Sequence, residues 1–200
     1  MARDADAESL AASLGRDVMA GPWGAAASQA SADRRAIQTS LAALTAEDRA
    51  ALPDVMTTVD ELVRRILSLV PTLHQLDLAL PPNAMLVVDK RIAAAQAEPD
   101  STARDRRIEL LERQRRTLQE LEGKRAVLAR KCESATLALA QLRYESLRLR
   151  AGEITRALAR AEDVARKARE VSADMAKLAS DLERIDTDAP ARLRKGSGGG

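Results

Sequence analysis

Ninety consecutive residues, 100–189, contain no proline and only two glycines, Gly123 and Gly152. Leucine and alanine recur through most of that stretch at three- and four-residue spacing, set among arginine and glutamate. Periodicity of this kind without a breaker predicts very long helix, at roughly 1.5 Å per residue. Helix of that length suits a spacer, a clamp or an oligomerising rod, and leaves little room for an enclosed pocket. The expected fold class is all-α.

Side-chain chemistry points the same way. The 200 residues include one tryptophan, Trp23, one tyrosine, Tyr144, and no phenylalanine. Wide cores and small-molecule pockets lean on aromatic bulk, whereas alanine, leucine and valine fill narrow helix-on-helix seams. The net charge of +2 hides an asymmetry. Residues 1–61 hold five basic and ten acidic side chains, and residues 101–131 hold ten basic and five acidic. That contrast favours docking of the N-terminal part on the basic segment, or recruitment of an acidic partner. Nucleic acid is not expected, because the arginines alternate with glutamates and no aromatic side chains stand ready to stack on bases.

Catalytic signatures are missing. A single cysteine, Cys132, excludes an internal disulfide and a Cys-rich zinc site, and a single histidine, His74, excludes a two-histidine metal helix. Gly123 and Lys124 stand without the rest of a phosphate-binding loop, and neither a kinase catalytic loop nor an Asp-Phe-Gly triplet occurs. The expectation is therefore a non-enzyme with no catalytic, cofactor-binding or metal-ligating residues and no cofactor. No apolar run approaches the roughly 18 residues that span a bilayer and no signal peptide opens the chain, so no membrane span and a cytoplasmic location are expected.

Punctuation divides the sequence. Residues 1–53 read as a weakly ordered N-terminal helical segment. Its first helix is stopped by the turn Gly21-Pro22-Trp23-Gly24, and its second, near 26–43, carries Ile37, Leu41 and Leu44 on one face. Thr45 to Asp48 has the form of a helix start, and the short helix after it ends at Leu52-Pro53. From Val55 a heptad seam runs through Val59, Leu62, Ile66, Leu69, Leu73, Leu76 and Leu80. Val63, Leu67 and Val70 widen it towards a second neighbour, and Pro71 should kink it. Pro81-Pro82 breaks the run, and Asn83 is placed to cap a successor built on Met85, Val88, Ile92 and Ala95. Glu98-Pro99-Asp100-Ser101 is the clearest reversal, with Asp100 or Ser101 available as a cap.

After the reversal, Leu111, Leu118, Leu121, Leu128, Cys132, Ala135, Leu139, Leu142 and Leu149 hold one heptad register. Arms 54–97 and 102–150, joined by the turn 98–101, would each reach roughly 65–75 Å. Similar lengths across a short turn predict an antiparallel coiled-coil α-hairpin over 54–150. The register slips at Gly152, where the chain either turns back or runs on with a local shift. A further helix covers 151–185, and the tail 186–200 is expected to be disordered.

Three features are candidates for interaction. Arg104, Arg106, Arg107, Arg113, Arg115 and Arg116 crowd the start of the second arm, either as a solvated helix surface or as a face for phosphate or acidic partners. Trp23 is a packing anchor or a plug for a partner. Leu110, Leu137 and Leu147 lie off the main seam and suggest a homo-oligomer. Cys132, at a core heptad position, reads as a small buried hydrophobe and His74 as a flanking residue.

The order of several blocks also resembles a known arrangement. Gly21-Pro22-Trp23-Gly24 is followed by Asp33-Arg34-Arg35-Ala36-Ile37, Leu52-Pro53-Asp54-Val55 and Thr58-Val59-Asp60-Glu61-Leu62. Leu73-His74-Gln75-Leu76-Asp77, Asp89-Lys90-Arg91-Ile92, Glu98-Pro99-Asp100-Ser101, the block from Arg107 to Leu121 and Leu142 to Leu149 continue it. Over residues 20–150 this pattern resembles the helical C-terminal tail that follows the catalytic domain in some bacterial serine/threonine protein kinases. The resemblance rests on pattern and order, and carries over no ATP-binding loop, catalytic aspartate or metal-binding aspartate. It implies a non-catalytic part that positions, dimerises or recruits, joined in a longer chain to an N-terminal kinase domain. The expected function is thus an interaction and oligomerisation module that binds itself or another protein. The alternative is a stand-alone adaptor for acidic or phosphorylated partners through Arg104–Arg116.

Overall fold

The computed structural model describes residues 12–50, 52, 55–150 and 160–177, all helix or short connection with no strand among them. Helix α1 spans Arg16–Ala20, α2 Gly24–Ala42, α3 Ala46–Ala50, α4 Val55–Ala79, α5 Ala84–Gln96 and α6 Thr102–Arg150. A last helical stretch, α7, occupies 160–177. The all-α expectation holds.

Local chemistry explains each boundary. Between α1 and α2 the amide of Gly21 bonds the Val18 carbonyl at 3.2 Å, and Gly24 bonds the Gly21 carbonyl at 3.1 Å. A side chain at Gly24 would place its first carbon 1.9 Å from the Met19 carbonyl oxygen, so this turn requires glycine there. At the start of α3 the Thr45 hydroxyl accepts from the Asp48 amide at 3.1 Å and donates to the Asp48 carboxylate at 2.6 Å. Arg49 donates to the carbonyls of Ala42 and Leu44, satisfying groups that the end of α2 leaves open. Ser101 caps α6 by accepting from the Arg104 amide at 3.2 Å. Asn83 stands at the N-cap of α5 without a side-chain cap bond; its backbone carbonyl accepts from Val87 instead, at 3.0 Å. Helix α4 is continuous through Pro71 and ends before the Pro81-Pro82 pair.

One core joins α2, α4, the second half of α6 and α7. Helix α2 contributes Ala27, Ala30, Ile37 and Leu41, and α4 is the most apolar wall, with Leu62, Ile66, Leu67 and Leu73 at 1% exposure or less. Burying each such side chain contributes about 1.5–3 kcal/mol. The wide stripe foreseen on α4 is used on two sides, because this helix packs against both α2 and α6. From α6 come Leu128, Cys132, Ala135, Leu139, Leu142 and Leu149, and from α7 Ala161, Val164, Ala165, Ala168 and Met175. The many alanines let the helices approach closely, so a core without phenylalanine has no need of bulk.

Cross-links fix the helix directions. Trp23 meets Asp77 and Arg34 meets Asp60, so α2 runs antiparallel to α4. Asp89 pairs with Arg115 at 2.8 Å and Glu98 with Arg107 at 2.6 Å, so α5 runs antiparallel to α6. Lys131 donates to the backbone carbonyl of Asp174 at 2.8 Å, and Arg65 to the Ser172 hydroxyl at 2.5 Å, so α7 lies back alongside α6 and α4. Gly152 and the tail 186–200 lie outside the described residues.

In place of a two-stranded coiled coil over 54–150, α6 serves two partners in succession. Its residues from Leu128 onward enter the four-helix core, whereas none from Thr102 to Val127 is fully buried. That first half packs on α5, where Val88 and Ala95 are buried outside the main core and Ile92, Leu111 and Leu118 stay half-covered. The physical reason is the number of neighbours: from Leu128 onward α2 and α7 join α4 against α6, whereas the first half of α6 has α5 as its main neighbour.

Candidate functional site

The six arginines, read from the sequence as a solvated helix surface or as a face for acidic partners, point in different directions round α6. At 100° per residue, Arg106, Arg107, Arg113, Arg115 and Arg116 fall at about 200°, 300°, 180°, 20° and 120° from Arg104. Four of them are already engaged. Arg104 bonds the Glu98 carbonyl and the Asp100 carboxylate, and Arg107 reaches Glu98, so both close the reversal between α5 and α6. Arg113 pairs with Glu109 at 3.1 Å and Arg115 with Asp89 at 2.8 Å. Arg106 and Arg116 have no ion pair among the described residues, yet they sit about 80° apart and ten residues distant, too dispersed to clamp one phosphate.

Trp23 is half-buried against the core. Its indole Nε1 donates to Asp77 Oδ2 at 2.8 Å, and Arg125 Nε donates to the other oxygen of the same carboxylate. The aspartate thereby ties the α1–α2 turn, α4 and α6 together. An open groove of about 540 Å³ lies beside this knot, lined by Pro22, Asp77, Pro81, Pro82, Glu122 and Arg125. The geometry is that of a packing anchor.

A second set of polar residues lies inside the bundle and was not foreseen. Asp33 is fully buried, accepts from Gln29 at 2.8 Å and forms an ion pair with Arg143 at 3.1 Å. Its neighbour Arg34 turns to α4 and donates to Asp60 at 2.7 Å. Two successive residues of α2 thus fix its register against α6 and α4 respectively. A signal was present: stepping back three and four residues from Ile37 lands on Arg34 and Asp33. Cys132 is buried as expected, and desolvation, with the Glu133 charge beside it, pushes its thiol up to about 11. Among the described residues no group of three or more His, Cys, Asp or Glu could hold a metal ion, and no helix is long and apolar enough to cross a membrane.

The remaining candidates are the off-seam apolar side chains of α6. Leu110, Leu137 and Leu147 are 63%, 70% and 44% exposed, and Tyr144 is 58% exposed. Tyr144 is nevertheless held, because the Arg143 guanidinium lies 4.8 Å above its ring centroid while also binding buried Asp33.

No family model matches the chain, and no curated protein or solved structure is significantly similar to it. These comparisons do not identify the kinase tail that the sequence pattern resembles.

Proposed function

We propose that this chain is a non-catalytic cytoplasmic interaction and oligomerisation module. In this reading α6 is the shared spine, holding the bundle at one end and the α5–α6 pair at the other. The observation that carries the proposal is the exposure of Leu110, Leu137, Tyr144 and Leu147 on a helix whose inward seam is already filled. Leu137, Tyr144 and Leu147 fall within about 80° of one another on the helix, and a patch of large apolar side chains in water is costly without a partner to cover it. Light scattering over a concentration series is the test: a mass rising from the 21.6 kDa monomer towards a dimer or tetramer is expected. A monomer at tens of micromolar would overturn it. Attachment to a serine/threonine kinase domain follows from the resemblance alone, and the reading frame upstream of Met1 tests that separately. The adaptor alternative is not favoured, because its arginines are dispersed and mostly paired.

A further inference from the structure

We infer that the outer face of α6 from Glu133 to Arg148 pairs with the same face of a second copy, in antiparallel orientation about a two-fold axis between Ala140 and Gln141. This rests on the oligomerisation reading and names its surface. At 100° per residue Leu137 lies opposite the buried Leu128, and it heads a second stripe. Glu133, Leu137, Ala140, Tyr144 and Leu147 follow one another at 4, 3, 4 and 3 residues, the spacing of a helix-pairing seam. The inward seam is occupied by the bundle, so this outward one is left without a neighbour among the described residues.

The charges select the occupant. In an antiparallel self-pairing centred between Ala140 and Gln141, Glu133 meets Arg148 of the second copy, and Arg148 meets Glu133 of the second copy. Leu137 meets Tyr144 twice in the same way. Glu133 is exposed and has no ion pair among the described residues, and Arg148 is half-exposed with one long contact of 3.5 Å to Glu145. A parallel pairing would set Glu133 against itself and Arg148 against itself, which like charges oppose. A face with Glu133 at one end and Arg148 beside the stripe at the other is complementary to an inverted copy of itself, as a two-fold interface demands. Ala140, at the centre, lets the two helices approach closely. Tyr144 supplies an anchor whose ring is already fixed by Arg143, so little freedom is lost on docking. Sixteen residues of helix span about 24 Å, which places the contact at the small end of specific interfaces and its affinity in the micromolar range.

Sedimentation equilibrium of charge-swap variants tests the pairing. Glu133→Arg and Arg148→Glu, each confirmed as helical by circular dichroism, should each raise the dimer dissociation constant about tenfold, since two symmetry-related pairs turn repulsive. The double swap should return it to near wild type. A Cys132→Ala chain carrying Gln141→Cys should form a disulfide-linked dimer, whereas one carrying Glu133→Cys should not, its two thiols lying about 22 Å apart. A wild-type dimer insensitive to both single swaps overturns this surface and leaves self-association standing. A Glu133→Cys cross-link overturns the antiparallel orientation. A wild-type monomer overturns the surface and the oligomerisation reading together, including the case in which residues 178–200 or another protein cover the stripe.

Discussion

Replacing Arg34 by methionine tests the ion pair that aligns α2 on α4, and the double variant with Asp60 separates the pair from the other interactions of Arg34. Arg34 Nε lies 2.7 Å from Asp60 Oδ1, and the two side chains are 5% and 12% exposed. Those exposures separate the pair from surface salt bridges, which contribute about 0–1 kcal/mol. Methionine keeps most of the apolar stem, so packing loss stays below about 1.5 kcal/mol. The dominant cost is the stranded Asp60 carboxylate, for which removal of a buried partner costs about 3–5 kcal/mol. Because water retains some access to Asp60, the low end applies, about 3 kcal/mol. With a urea slope of about 2 kcal/mol/M, the unfolding midpoint should fall by about 1.5 M, read by circular dichroism at 222 nm. Adding Asp60→Leu to Arg34→Met should recover at least half of that loss, since a fully apolar replacement strands no charge. A loss under about 1 kcal/mol, or a double variant as unstable as the two single losses added, would refute the reasoning.

Other perturbations follow from single contacts. Gly24→Ala should destabilise by about 1–3 kcal/mol, because the new carbon meets the Met19 carbonyl oxygen at 1.9 Å and the backbone must move; thermal melts will show it as a lowered midpoint. Asp77→Ala should cost about 1–3 kcal/mol and shift Trp23 fluorescence to longer wavelength, since the indole loses its acceptor and Arg125 its partner. Cys132 should react with a disulfide reagent far more slowly than in the unfolded chain, its thiol being pushed up from 9.0 to about 11. For an acid whose folded pKa is raised, the neutral form favours the fold. Cys132 should therefore stabilise fully below pH 9 and lose that contribution between about pH 9 and 11, a decline that Cys132→Ala should lack in pH-dependent unfolding curves.

Much of this architecture was legible because breakers and periodicity act locally. Thr45 and Ser101 announced helix starts by chemistry that needs only three following residues. The prolines at 81 and 82 marked the end of α4. What spacing could not give was partner choice. The heptad register from Leu111 to Leu149 is continuous in sequence, yet its first half meets α5 and its second half enters a four-helix core. Nothing in the leucine pattern changes at Leu128; the number of neighbours changes. The arginines of α6 were left between two readings for a related reason. Clustering along the chain is not clustering in space, and acidic residues at 89, 98, 100 and 109 had already claimed four of them. Asp33 and Arg34 were hidden by their type, since charged side chains are assigned to solvent unless a buried partner is known.

The division of α6 at Leu128, the central claim of this architecture, is measured most directly by hydrogen exchange along its 49 residues. Amides from Leu128 to Leu149 should exchange only through global unfolding, because they lie in the common core. Those from Arg106 to Val127 should exchange substantially faster, through local opening of the α5–α6 pair. Uniform protection across the whole helix, or faster exchange in the second half, would contradict this arrangement.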